Sequence, residues 1–314
     1  MNILKNLMKT IKDCRARFPE QVQGKVIHTN VSTFRFEVDG DNPSKPKSGQ
    51  FTRDTYGKGG LFFNYRTGEG FRCLIPEAHF QTPQIQTQEI SYAIYSEWYS
   101  KIWANSNALN LCNDYLESKR LITFIKPLGR FVRMANGAKI NELASELGLP
   151  ERTKYKDVLY LVAPLQNFSK QLVGIQLIAP AGSKFFLPKS KVKSSFCLIG
   201  SITKDQPIGI AEGIATAASV HFVHDFPVFA AMSCKNLLPV ATVVRQRYPK
   251  AKIVILGDQG NGSEDAKKAA TEVGAGLAIP TFTEDDIKRF QNITGKTHPT
   301  DFNDLYISRG VLHA

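Results

Sequence analysis

Three groups of acids stand where an α/β chain places its chemistry. "PIGIAEG" sets Glu212 directly after an apolar run and before Gly213 and a helix start. "AKIVILGDQGNG" sets Asp258 in the same place after a later apolar run. "TDFNDL" adds Asp301 and Asp304. In sheets of this kind the residues just past the carboxyl ends of the strands carry function. An oxygen-rich cluster there suits Mg2+ or Mn2+, which take few carboxylates and keep places for water and phosphate oxygens. Taken one at a time, each acid has a plainer reading. An Asp before Gly is a turn residue, and the DFND acids are helix caps before "LYIS".

The elements that must position these acids are legible as patterns. From about Asp157 short apolar runs alternate with helical stretches, the signature of a mainly parallel sheet covered by helices. Upstream, Lys25 to Pro76 reads as β-rich, with Gly59–Gly60 and Thr67–Gly68 as turns. "KVIHTNVSTFRFEVDG" alternates as a strand does, and a helix leads it near the start. "PEAHFQTPQIQTQEI" reads as a linker, and helical spacing follows from Ser91 to about Glu117. Tyr95, Trp98 and Ile102 then belong to a core, and "KINELASELGLP" is a helix closed by Gly148. The expected division is 1–80 for a β-rich module with a leading helix, 81–155 for a linker and helical segment, and 156–314 for the acid-bearing α/β domain with a strand region preceding it.

Composition narrows the chemistry. The 314 residues carry a net charge of +12, which favours polyanionic partners. Five scattered cysteines with no Cys-x-x-Cys pair exclude a zinc ribbon and a disulfide framework. No apolar run approaches the roughly 18 residues of a membrane helix, so the expectation is a cytoplasmic chain with no membrane partner. His221 and His224 lack a third metal ligand nearby. Lys184 and the alternating Lys189, Lys191 and Lys193 fall in "GSKFFLPKSKVKSSF". On a strand, alternation places the last three on one face, either to track a phosphate backbone or to guard a sheet edge. Arg120, Arg130 and Arg133 form a second basic group, Tyr65 and Arg66 are candidates to stack or pair with nucleic acid, and Lys235 is a candidate phosphate ligand.

The order "AEGIATAASV", "NLLPVA", "AKIVILGDQGNG", "DFNDL" resembles the Toprim region of primases carried by satellite phages and plasmids. "NDYLESKRLI" and "GGLFFNYRTGEG" extend the likeness upstream, so that it covers most of residues 45–310. The resemblance implies a parallel sheet of about four strands with flanking helices. It implies Glu212 as general acid or base, and metal held by Glu212, Asp258, Asp301 and Asp304. Asn236 matches the Asn of the family's "NL-x-PVA" segment. With the lysines it is grouped as a nucleic-acid or nucleotide contact, with packing as its other role. Single-stranded DNA, ribonucleotides and a separate replicative helicase are the partners implied, since no phosphate-binding Gly-x-x-x-x-Gly-Lys-Ser/Thr loop occurs. Gly260 stands where the family has a second Asp, a ligand vacancy that Gly260→Asp is expected to fill; Asn261 beside it offers a neutral oxygen. The implied activity is RNA-primer synthesis. A Toprim-class nuclease and a non-catalytic DNA-binding accessory protein are the alternatives.

Overall fold

The computed structural model describes residues 2–28, 32–54, 59–75, 91–110, 113–260 and 262–310. The linker expected over Pro76–Ile90, Cys112 and Asn261 lie outside them. Contacts divide the chain into two compact units, Met1–Gln88 and Glu89–Ala314. The helical segment expected to stand apart at 81–155 is built into the second unit, because β5 within it pairs with a strand beyond residue 156.

In the first unit α1 (Asn2–Asp13) and α2 (Pro19–His28) precede an antiparallel sheet. Its strands, in order, are β1 (Thr33–Phe36), β2 (Gly49–Arg53), β3 (Gly59–Asn64) and β4 (Glu69–Leu74). Leu7 and Ile11 of α1 and Val22 and Val26 of α2 bury against Phe36, Phe51 and Phe62. The alternation read over Lys25–His28 is the end of α2; the strand begins only at Thr33. Thr67–Gly68 is the expected hairpin turn, but Gly59 and Gly60 lie inside β3. A Cβ on Gly60 would stand 2.4 Å from the Phe51 ring, so close packing rather than a turn fixes this glycine.

The second unit holds two sheets. Helices α3 (Tyr92–Asn105), α4 (Asp114–Ser118) and α5 (Ile125–Leu128) lead to β5 (Arg133–Asn136) and α6 (Gly137–Ser145). Strands β6 (Leu159–Gln166), β7 (Leu172–Ile178) and β8 (Lys184–Phe186) follow, and β5 to β8 form an antiparallel sheet in chain order. β6 is buried on both sides, which explains its unbroken apolar run. Tyr160 and Val162 join Trp98, Tyr99 and Ile102 of α3, while Leu161, Ala163 and Leu165 join the core shared with the next sheet.

That next sheet runs β13-β12-β10-β11-β9. Its chain order is β9 (Cys197–Ile199), β10 (Ile208–Ala211), α7 (Ile214–His224), β11 (Val228–Ala230) and α8 (Leu237–Arg247). Then come β12 (Ile253–Leu256), α9 (Ser263–Val273), β13 (Gly276–Ala278), α10 (Glu284–Thr294) and α11 (Phe302–Arg309). Four strands are parallel, as expected, and β9 closes one edge antiparallel to β11. Among the described residues no helix is long and apolar enough to cross a membrane.

One ion pair ties α10 to α11, its carboxylate buried and its guanidinium half-buried. Asp286 opens α10 in a capping box with Thr283, and it accepts bonds from Arg309 of α11 at 2.9 Å and 2.6 Å. Arg309 holds this carboxyl well below the usual carboxylate range. A carboxyl depressed on folding contributes stability above its unfolded pKa of about 3.9, lost as pH falls through the folded value. Asp286→Ala is expected to cost about 2 kcal/mol at neutral pH and to flatten the acid limb of the stability profile. Urea unfolding at pH 7 and at stepwise lower pH measures both.

Candidate active site at the carboxyl edge of the parallel sheet

Glu212 follows β10, the strand between β11 and β12, and α7 begins two residues later. Asp258 follows β12 after Gly257, whose N–H bonds the Ala278 carbonyl of β13 at 2.8 Å. The Asp258 turn is tied to the DFND run, because Gln259 N–H donates to the Thr300 carbonyl at 2.8 Å. It also lies against Glu212: a Cβ on Gly262 would stand 3.2 Å from Glu212 Oε2. From outside this sheet β8 brings Lys184, whose ammonium would be 3.7 Å from a Cβ on Gly213. Lys119, just past α4, pairs with Asp304 at 3.7 Å.

Electrostatics shows that the acids share one region. Burial pushes the Asp258 carboxyl up to about 7, and the charges of Asp301, Glu212 and Asp304 add to that rise while Lys184 opposes it. Glu212 is raised first by burial, with Lys184 and a hydrogen bond from Cys234 N–H pulling the other way. Asp301 is raised by burial and by Asp304, against Lys119 and Lys184. Lys184 is lowered by desolvation and then by Lys119. Lys184 is an exposed residue overall, so its desolvation is partial.

The four acids are not equivalent. Asp301 caps α11 by accepting from Asp304 N–H at 2.8 Å. Asp304 accepts from Thr300 N–H at 2.9 Å and faces Lys119. The capping reading of the DFND run therefore holds for Asp301, and both residues already have structural work. Asp258 differs: its Oδ1 is buried with no hydrogen-bond partner. Such an atom carries the full cost of lost hydration, and a cation would relieve it. Among the described residues no three carboxylate, His or Cys groups stand close enough to ligate one ion together. The donor set thus fits a cation held by one or two carboxylates and completed by waters and phosphate oxygens.

The nucleic-acid candidates separate. Asn236 is buried and carries no free polar atom. Its Oδ1 accepts from Ser194 N–H at 2.9 Å, and its Nδ2 donates to the Ser195 and Ala231 carbonyls at 2.9 Å and 2.8 Å. It is a clamp between the end of β11 and the lysine loop, not a ligand contact. Lys189, Lys191 and Lys193 do not share a strand face. Left-handed residues Lys189 and Ser194 turn this stretch into a loop, and Lys191 lies over the Tyr92 ring at 3.7 Å. Lys189 and Lys193 remain exposed on it. Lys235 is exposed and pairs with Asp265 at 3.0 Å, at the start of α9. Arg120 and Arg133 bond the Ile307 and Trp103 carbonyls, so part of the second basic group is structural. His221 bonds the Phe226 carbonyl at 2.8 Å rather than pairing with His224. In the first unit Tyr65 is exposed beneath the Arg35 guanidinium at 4.3 Å, and Arg66 bonds the Gly40 carbonyl.

Sequence reasoning missed Lys119 and Tyr115. Tyr115 is buried, its hydroxyl has no partner, and the Lys184 ammonium lies 5.9 Å from its ring. The resemblance over "NDYLESKRLI" marks a helical element, and nothing in its spacing singles out either residue. Gly260 also changes meaning. Its φ is +105° with open space around it, so the turn needs glycine on backbone grounds. Gly260→Asp is therefore expected to destabilise by about 1–2 kcal/mol with no gain in Mn2+ affinity, a pair of outcomes that urea unfolding and calorimetry read separately. Asp258 gives a second expectation. Because its pKa is raised on folding, the native state binds the extra proton, and stability falls as pH rises from about 4 to 7. Asp258→Asn should stabilise the metal-free protein at pH 8 by about 1–2 kcal/mol after solvent screening, measured by thermal unfolding with chelator present.

Comparison with known proteins agrees with the resemblance read from the acids. Residues 207–311 match the family model described as Toprim domain. The DNA primase TraC of Escherichia coli is 31% identical over 121 residues, which are 34% of this chain and 8% of that protein. A second TraC from Escherichia coli is 29% identical over 121 residues, again 34% of this chain and 11% of the relative. This chain thus spans a small fraction of the curated relatives it matches. Among solved structures, the primase fragment of the bacteriophage T7 primase–helicase protein has 12% identity and a TM-score of 0.39, covering 79% of this chain and 90% of that one. The Aquifex aeolicus primase has 15% identity and a TM-score of 0.40, covering 87% and 79%. The segment that carries Glu212, Asp258, Asp301 and Asp304 thus matches the Toprim domain model, and part of this chain is similar to a DNA primase.

Proposed function

We propose that this chain is a DNA primase, or a primase-like nucleotidyltransferase, of a phage- or plasmid-type mobile element. It would bind single-stranded DNA, take ribonucleotides as substrates, and work beside a helicase supplied by another chain. The observation that carries the reading is the orphaned, buried Oδ1 of Asp258, set among Glu212, Asp301 and Lys184 at the carboxyl edge of a Toprim sheet.

A divalent ion, Mg2+ or Mn2+, would supply charge neutralisation at phosphate oxygens and a template for in-line displacement. Asp258 and Glu212 would hold it, with Asp301 and Asp304 shaping the field around it. Glu212 has the environment of a proton carrier. Burial favours its protonated form, and Lys184 with the Cys234 N–H keeps the charged form accessible. It would accept the proton of the attacking 3′-hydroxyl. Lys184 would meet the phosphate charge next to the acids, and exposed Lys189, Lys193 and Lys235 would track the template or the nucleotide.

A template-dependent assay with labelled ribonucleotides and Mg2+ or Mn2+ tests this. Glu212→Gln and Asp258→Asn are each expected to lower primer synthesis by at least about 100-fold, the usual range for a positioned acid or base. Equal product from wild type and Glu212→Gln would sink the reading. Metal-dependent cutting of DNA without nucleotides would assign the same acids to a nuclease. Salt-dependent DNA binding with neither activity would leave an accessory module.

A further inference from the structure

The carboxyl edge is not the only polyanion-shaped surface of the second unit. At the opposite edge of the parallel sheet, where β10 and β12 begin, lies an open groove. Lys204, Arg247, Lys250 and Lys252 line it, all exposed and with no ion pair among the described residues. Asp205 is the one acid along the lining, so this groove is far more one-sided than the chain, which carries 28 acids against 40 lysines and arginines.

The groove is also built rather than incidental. Arg247 ends α8, Lys250 and Lys252 sit on the turn from it to β12, and a neighbouring guanidinium holds that turn. Arg245 donates to the Val273 carbonyl at 2.9 Å, the Ala251 carbonyl at 2.8 Å and the Pro249 carbonyl at 3.2 Å. Tyr248 anchors the turn against Phe168, and Ile208 N–H bonds the Lys252 carbonyl at 2.8 Å. Cations on a fixed turn lose less freedom on meeting phosphates than cations on a mobile one. A row with spacing set by the backbone suits a repeating anion better than a single one.

We propose that this groove is a second nucleic-acid site that binds the phosphate backbone of a single strand, separated from the acids by the length of β10. The proposal rests on the reading of the chain as a nucleic-acid enzyme, and it adds a contact far from the chemistry. Its role is to retain template or product, so it contributes to affinity and not to the metal-dependent step. A mere excess of positive charge would act anywhere on the surface, and this difference makes the site testable.

The test compares two triple variants of the full chain with equal loss of charge. One is Arg247→Glu, Lys250→Glu, Lys252→Glu. The other is Lys288→Glu, Arg289→Glu, Lys296→Glu, on exposed positions in and just after α10. Binding of a fluorescent oligodeoxynucleotide is followed against salt, and thermal unfolding is recorded for both. The groove variant is expected to bind at least tenfold more weakly than the α10 variant at low salt. Its log–log salt slope should fall by about 2, at roughly 0.7 per lost single-strand phosphate contact. Equal losses in the two variants overturn the groove and leave the primase reading standing. Loss of binding to polyglutamate but not to the oligonucleotide also overturns it, in favour of an acidic protein partner. No binding by wild type overturns it outright. A groove effect in a wild-type protein that makes no primer upholds the site and removes the proposed activity instead.

Discussion

Like charges held together in a half-buried place repel, and much of the second unit is arranged to hold them there. Burial and mutual repulsion both raise Asp258 and Asp301, so neither carboxylate would stay in place unaided. The counterweights come from outside the Toprim segment: Lys119 just past α4, and Lys184 at the start of β8. Backbone N–H groups do the rest, from Cys234 to Glu212 and from Thr300 and Asp304 to the DFND acids. The antiparallel sheet is therefore part of the site, since it delivers the cation that sits beside Gly213.

The same dependence explains the lysine loop. It is pinned at both ends by groups that belong to the rest of the unit. Ile175 N–H bonds Ser190 Oγ at 3.2 Å, and Asn236 holds Ser194 and Ser195. Two non-glycine residues with positive φ, namely Ser194 and Met232, lie at or next to the groups this clamp holds. Left-handed backbone at such residues costs free energy and persists where surrounding contacts over-determine it. Here those contacts are the three hydrogen bonds of one buried amide. Asn236 thus ties the position of Lys193 to the end of β11, the strand beside Glu212.

The acids and their order were legible in the sequence because a strand end followed by a helix start leaves a readable pattern. Glu212 and Asp258 fell where "PIGIAEG" and "AKIVILGD" put them, and the parallel strands followed from the alternation. What the sequence hid was tertiary. The alternation Lys189-Lys191-Lys193 is the pattern of a strand, yet two left-handed turns and the Tyr92 ring overrule it. Asn236 carries a polar side chain in a segment near the site, and only its three buried bonds show that it faces the protein. β6 and β7 were legible as a strand region ahead of the parallel sheet but not as antiparallel, because a strand buried on both faces has the same apolar run whichever way its neighbours point. Lys119 and Tyr115 reach the acids across more than a hundred residues of chain, and no local spacing encodes that.

Gly260 shows how backbone geometry and ligand chemistry become entangled at one position. Read as a sequence, it is a missing carboxylate. Read in the fold, it is the residue that lets the chain leave Asp258 and return along Glu212. Gln259 is fixed to Thr300 on one side, and Gly262 lies against Glu212 on the other. Between those anchors a φ of +105° strains any residue with a Cβ, although the space around Gly260 is open. A second fixed carboxylate would also add to the repulsion that already raises Asp258. A cation held here would therefore have to complete its shell from water and other oxygen donors. On that argument the turn at Gly260 itself keeps the number of fixed carboxylates low.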